Sequence, residues 1–238
     1  YKVPARDPEL VQRVQKLVNY TFRSFGSREV KKTMDRKAPI PSCLKVEEVV
    51  HIENAENYLN YSVRRSELAR KYKGLVEAER RDLDVKTNCV SMKGCWGDTK
   101  EPVDASINEH WFWHGTSKAG AKGITDTDFD MGRAGSAAGS MLGAGLYFAE
   151  SCMKSDEYGK EDDRGLVPTL LCRLVLGRVK YNDEVRPNAA ALQAACMGGG
   201  YDSVLGDRQK VRDTFREFVV FDSNQVYPEY LVWYRRMP

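Results

Sequence analysis

Leu10, Val11, Val14, Leu17, Val18, Phe22 and Phe25 recur at helical spacing in RDPELVQRVQKLVNYTFRSFG. Side chains three and four apart share one face of a helix, so the pattern predicts an amphipathic helix at the start of the chain. Asp7 is its N-cap candidate, Pro8 fits the first turn, and Gly26 can end it. KAPIPSC follows as a proline-marked linker, and LKVEEVVHI then reads as a strand. ENAENYLNYSVRRSELARKYKGLVEAERR is apolar on one side and reads as a second helix. Residues 82–106 carry few apolar positions and hold turn signals at KGCWGD and KEP, so they read as loop. Short apolar runs dominate the rest: EHWFWHG, GLYFA, TLLCRLVLGRVKY, EFVVFD and VYPEYLVWY. Rich in valine, leucine and aromatics, they read as strands joined by loops rather than by regular helices. The pattern predicts an α+β fold with a mainly antiparallel core.

Composition narrows the class. The chain has 238 residues, 42% hydrophobic and 30% charged, enough for one folded domain with a real core. No apolar run reaches membrane-spanning length, and no secretory leader is visible. The net charge of +3 is too small to point to nucleic acid, and the basic residues of RRSELARKYKGLVEAERRDLD alternate with acids as on a solvated helix face. Six cysteines are scattered without a CxxC pair, and Cys89 and Cys95 have no further ligands beside them for zinc. That usage predicts a reducing, intracellular setting, nuclear or cytoplasmic. The chain begins at Tyr1 without methionine, which leads us to expect a monomeric catalytic fragment of a larger protein.

Phosphate-binding and zinc-protease signatures of the forms G-x-G-x-x-G, G-x-x-x-x-G-K-[ST] and H-E-x-x-H are absent. Of the three histidines, His51 sits in a strand and reads as structural. His110 and His114 share a strand face, with Trp111 and Trp113 on the other. At His114 the strand gives way to Gly115 and Thr116, where a ligand can approach the backbone and a planar amide can pair with it. In GAGLYFAESCMKSDEY, Tyr147 comes from a strand, and Tyr158 from a helix that also carries Lys154 and Ser155. The two rings are either a clamp on a flat ligand or two half-buried core tyrosines. Glu217, opening the apolar run EFVVF, is either a solvated strand end or a carboxylate aimed at a hydroxyl or developing cation.

Together HGT, GAGLYFAES with KS and Y behind it, and REFVVFD leading into QVYPEYLVWY resemble the catalytic domain of the poly(ADP-ribose) polymerases. INEHWFWHGT, VVHIENAENYLNYSVRR and GYDSVLG resemble further segments of it, so the likeness runs from about residue 44 to the end. The resemblance implies one domain over 1–238: a helix and linker over 1–43, and an ADP-ribosyltransferase core over 44–238 of two packed, mainly antiparallel sheets flanked by a few helices. It implies NAD as substrate, no metal, and proteins as acceptors of ADP-ribose. His114, Tyr147 and Glu217 match the family's H-Y-E triad. By that likeness His114 bonds the ribose hydroxyls, the Gly115 backbone and the Ser155 hydroxyl take the carboxamide, and Tyr147 and Tyr158 enclose the nicotinamide ring, with Thr116 beside them. Lys154 falls on the acceptor side, Glu217 reaches the 2′-hydroxyl, and Arg133, in the glycine-rich DFDMGRAGSAAGSM, meets a phosphate. The helical regulatory domain of some members has no counterpart here, and EDDRGLVP stands where others have a zinc element. A glutamate at the third triad position implies elongation to poly(ADP-ribose). Transfer of a single unit, an inactive NAD-binding relative, and loss of ADP-ribose to water are the alternatives.

Overall fold

The structure is a computed structural model that describes residues 2–4, 8–24, 40–73, 83–88, 102–134 and 140–238. In chain order the elements are β1 (Lys2–Pro4), α1 (Pro8–Thr21), β2 (Cys43–Ile52), α2 (Ala55–Tyr72), β3 (Glu109–Gly115), α3 (Lys118–Asp126), β4 (Leu146–Ala149) and α4 (Cys152–Asp156). Then follow β5 (Val167–Val175), β6 (Val179–Asn182), α5 (Ala189–Met197), β7 (Ser203–Asp207), α6 (Arg208–Arg212), β8 (Arg216–Val220) and β9 (Val226–Met237). The strands form one sheet in the order β1-β2-β9-β5-β3-β4-β8-β7-β6, antiparallel except for the β6–β7 pair.

Several boundaries differ from the sequence reading. The first helix stops at Thr21, short of Gly26. TLLCRLVLGRVKY is two strands, β5 and β6, because Gly177 takes φ +57°, a left-handed turn that strands do not accommodate. The strands are joined partly by helices. α5 supplies the crossover that the parallel β6–β7 pair requires. It escaped periodicity because AAALQAACM has no apolar stripe and is helical through alanine propensity. α4, the expected helix carrying Lys154 and Ser155, has five residues, and α6, also of five, is too short to show a period. Residues 74–81 of the second predicted helix, Asp7, and Cys89 and Cys95 lie outside the described residues. Among the described residues no helix is long and apolar enough to cross a membrane.

The sheet is narrowest between β3 and β4, which share one register pair, Trp113 with Ala149. On either side lie the two halves that correspond to the expected pair of sheets. Both feed one apolar cluster: Phe112, Leu170, Cys172, Leu231 and Trp233 from one half, Leu146, Phe148, Leu205, Phe218 and Val220 from the other. A second cluster on the opposite face of the first half joins Val14, Leu17 and Val18 of α1 to Trp111, Trp113 and Met153. Strand alternation explains the split, since Trp111 and Trp113 point one way and Phe112 the other. The end of α1 also grips α4 and β3: Ser151 Oγ donates to the Thr21 carbonyl at 2.8 Å, and Trp113 Nε1 donates to Thr21 Oγ1 at 3.2 Å.

Glu109, fully buried at the start of β3, accepts hydrogen bonds from Tyr61 Oη at 2.6 Å, Arg65 Nε at 2.8 Å and the Asp104 amide at 2.7 Å. Arg173 NH1 lies 3.7 Å away and is itself paired with Glu229. Removing one member of such a network strands the others in low dielectric. Glu109→Ala is therefore expected to lower stability by about 3 kcal/mol or more, read by urea denaturation.

Candidate active site

Beyond the Trp113–Ala149 pair, β3 and β4 part, and a cavity of about 650 Å³ opens between them. His114, Gly115, Tyr147, Lys154, Ser155, Tyr158 and Glu217 all line it, as do Thr116 and Arg133. Nine residues that the sequence scatters over a hundred positions thus meet in one cleft, within the size range of small-molecule sites.

Gly115 has no room for a side chain. A Cβ there would stand 1.9 Å from the Ser155 carbonyl oxygen and 2.6 Å from its carbon. Only glycine lets the end of β3 lie against α4. The backbone groups of a strand alternate between its edges. The His114 carbonyl accepts from Thr169 Oγ1 at 3.1 Å, on the β5 side. The N–H and C=O of Gly115 therefore face the other edge, toward the cleft, as a donor–acceptor pair suited to a carboxamide.

His114 is fixed from three sides. Its ring packs against Phe129 at 5.0 Å and Phe148 at 5.3 Å, and Nδ1 lies 2.9 Å from the Tyr147 carbonyl. A carbonyl only accepts, so Nδ1 carries the proton. Burial lowers the pKa of His114, and the bond to the carbonyl only partly offsets this. A neutral ring protonated at Nδ1 leaves Nε2 with a lone pair, free to accept from a hydroxyl.

Tyr147 is locked at its tip: the hydroxyl donates to the Gly143 carbonyl at 2.8 Å and accepts from the Leu142 amide at 2.9 Å. Burial raises its pKa, so it stays a neutral platform. Tyr158 lies past the end of α4, in the turn that follows, rather than on the helix as the sequence suggested. Its ring is 5.4 Å from Lys154 Nζ.

Glu217 enters through register. β8 pairs with β4 so that Glu217 lies opposite Ala149, two residues along from Tyr147. Its side chain is buried, and Oε1 is 2.7 Å from Lys154 Nζ, which also donates to Glu157 Oε2 at 2.9 Å. Burial pulls the Lys154 pKa down, but the carboxylates of Glu217 and Glu157 outweigh it and keep the ammonium charged. On the opposite wall, Arg133 is exposed and sits 3.3 Å from Asp130. Residues 135–139 of the glycine-rich stretch lie outside the described residues.

The sequence reading missed Phe129, Phe148 and Glu157. Glu157 was open to detection, because Lys154 and Glu157 stand three apart, the spacing of a helical ion pair. The phenylalanines gave no signal beyond ordinary core apolarity. Among the described residues no group of three or more His, Cys, Asp or Glu is placed to hold a metal ion.

The cleft thus combines a glycine amide edge, two tyrosines, a neutral imidazole and a carboxylate, set where an antiparallel sheet splits, a lining with the donors and acceptors to take a planar amide joined to a polyhydroxylated group. Residues 28–215 match the family described as the poly(ADP-ribose) polymerase catalytic domain, and the chain belongs to that family. It is 31% identical over 143 residues to the mouse (Mus musculus) protein mono-ADP-ribosyltransferase PARP11, covering 53% of this chain and 42% of that protein. It is 32% identical over 139 residues to the human (Homo sapiens) protein mono-ADP-ribosyltransferase PARP12, covering 57% and 18%. With the poly [ADP-ribose] polymerase tankyrase of Caenorhabditis elegans it shares 26% over 168 residues, covering 57% and 7%. The matched segments thus span less than half the length of these relatives. Glu217 lies just beyond the family match, and its place in the site comes from the β4–β8 register.

Two expectations follow. Gly115→Ala drives a methyl group into the Ser155 carbonyl and should cost about 2 kcal/mol or more in denaturant unfolding. In a proton NMR titration, with the resonance assigned by His114→Asn, His114 should show a midpoint below 6.5. The sign for stability is that the unfolded chain takes up a proton here as pH falls through 6.5 and the folded protein does not. This residue's contribution to folding therefore diminishes on acidification.

Proposed function

We propose that this domain cleaves NAD between nicotinamide and ribose and transfers the ADP-ribose to protein acceptors. The observation that carries this reading is the convergence of His114, Tyr147 and Glu217 on one cleft with the Gly115 amide edge. The residues fit the ligand. The carboxamide pairs with Gly115, beside the Ser155 hydroxyl, and the pyridinium ring lies against Tyr147 with Tyr158 closing over it. The ribose hydroxyls reach His114 Nε2 and Glu217, and Thr116 and Arg133 lie toward the pyrophosphate.

The chemistry matches this set. The bond between C1′ and the pyridinium nitrogen breaks with its electron pair going to nitrogen, so nicotinamide leaves neutral and no general acid is needed. The sugar left behind is oxocarbenium-like, the species that carboxylates also serve in glycosidases. A carboxylate on the 2′-hydroxyl stabilises charge that develops only in the transition state. The acceptor nucleophile then bonds to C1′ and releases its proton to a base or to water. Holding the ring between fixed tyrosines keeps the reacting carbon oriented.

Glu217 supports elongation, since a ribose hydroxyl is a weak nucleophile that gains from a nearby carboxylate base. Transfer of a single unit is the second reading, favoured by the names of the PARP11 and PARP12 relatives.

Mass spectrometry of the protein and supplied acceptors after incubation with NAD should show added ADP-ribose, the number of units separating the two readings. Glu217→Gln should reduce nicotinamide release on the order of a hundredfold while calorimetric NAD affinity changes little. Wild-type protein that binds NAD but releases no nicotinamide would overturn the proposal.

A further inference from the structure

Glu157 is a buried carboxylate for which the reaction above has no use. Its side chain is 0% exposed, and it stands behind the cavity wall rather than in it. It accepts from Lys154 Nζ at 2.9 Å, and the same ammonium lies 2.7 Å from Glu217 Oε1. The Lys154 side chain is itself only 7% exposed, and the Tyr158 ring lies close to its ammonium. One cation is thus shared between a carboxylate in the site and one outside it.

A lysine ammonium is a compact charge on a flexible stem. Paired with Glu217 alone, it would settle as deeply onto that carboxylate as sterics allow. Negative charge would then be neutralised at the place where the proposed reaction needs it. A second carboxylate behind the ammonium pulls the other way. It fixes the stem, limits Glu217 to a contact through Oε1, and leaves Oε2 for a ligand hydroxyl. Burial sharpens the competition, because each attraction is screened less than it would be in water.

We propose that Glu157 is a positioning residue that acts through Lys154, holding the ammonium off Glu217 so that this carboxylate keeps its charge for the reacting sugar. The inference rests on the reading of Glu217 given above. Its effect belongs to the transition state and not to NAD binding, because the charge it preserves is called on only as the sugar becomes cationic.

The test compares nicotinamide release at varied NAD by wild type, Glu157→Asp and Glu157→Gln, with calorimetric NAD affinity and thermal melting of each. The expected result is a fall in kcat of about tenfold for Gln and less for Asp, with KM and NAD affinity within about twofold. On a Lys154→Met background the Gln change should have no further effect on kcat. Unchanged kcat in Glu157→Gln, a change in KM alone, or an equal fall on the Lys154→Met background overturns the inference and leaves the proposed function standing. If Glu157→Gln fails to fold, Glu157→Asp decides: a reduced kcat at constant KM supports the inference and an unchanged kcat overturns it. A wild type that releases no nicotinamide overturns both.

Discussion

The carbonyl oxygen of Ser155 stands 1.9 Å from where a Cβ on residue 115 would be, and the site depends on that contact. With glycine at 115, the end of β3 lies directly on the backbone of α4. This sets the strand's free amide edge beside Ser155 and brings Lys154 and Tyr158 into the same cleft. The short helix is held from behind as well, by its N-cap residue Ser151 bonding to Thr21 at the end of α1. An element of five residues could not keep its position alone. Packed between a glycine strand end and the last turn of α1, it becomes a rigid wall. The opening helix, which the family resemblance left outside the catalytic core, is therefore part of what holds the cleft in shape.

The electrostatics of the cleft are divided between its walls. On the β3 side, His114 is kept neutral by burial between two phenylalanines, with its proton committed to a backbone carbonyl. It brings a hydrogen-bond acceptor without a charge. Across from it, Lys154 of α4 bridges two carboxylates, Glu217 of β8 and Glu157. A positively charged pyridinium and a cationic sugar would be repelled by an imidazolium and stabilised by a carboxylate. The fold supplies a neutral ring on one wall and acid groups on the other. The buried network around Glu109 is a different matter. It satisfies polar groups at the far end of the same strand and anchors β3 without entering the cleft.

Much of this was legible in the residues, and the limits have physical causes. β2, β3, β4, β8 and β9 were readable because apolar, β-branched and aromatic residues cluster in short runs bounded by turn signals. Gly115 could be marked as a point of close approach, but not what approached it, since Ser155 is forty residues away and contacts of that kind have no local signature. Tyr147 and Tyr158 were ambiguous in isolation because a core tyrosine and a ligand-facing tyrosine have the same local pattern. The family likeness, not periodicity, resolved them. The helices α5 and α6 were lost because they are too uniformly apolar, or too short, for a period of 3.6 to register.

The split between β3 and β4 explains why the site lies where it does. A fully paired antiparallel sheet satisfies its backbone groups and offers a ligand only side chains. Where two strands share a single register pair and then diverge, one edge is left with groups that need partners. Cost and use coincide at this point. The unpaired edge of β3 is open to a partner from the cleft, and just inside the split the rings of Phe112 and Phe218, 4.5 Å apart, hold the two halves of the sheet together. Tyr147 and Glu217 both lie on the β4–β8 side, so their spacing is set by an ordinary antiparallel ladder. His114 and Gly115 lie on β3, on the other side. The cleft therefore has two walls, each internally rigid, hinged at one residue pair, and the relative position of the walls is the variable that the Gly115–Ser155 contact fixes.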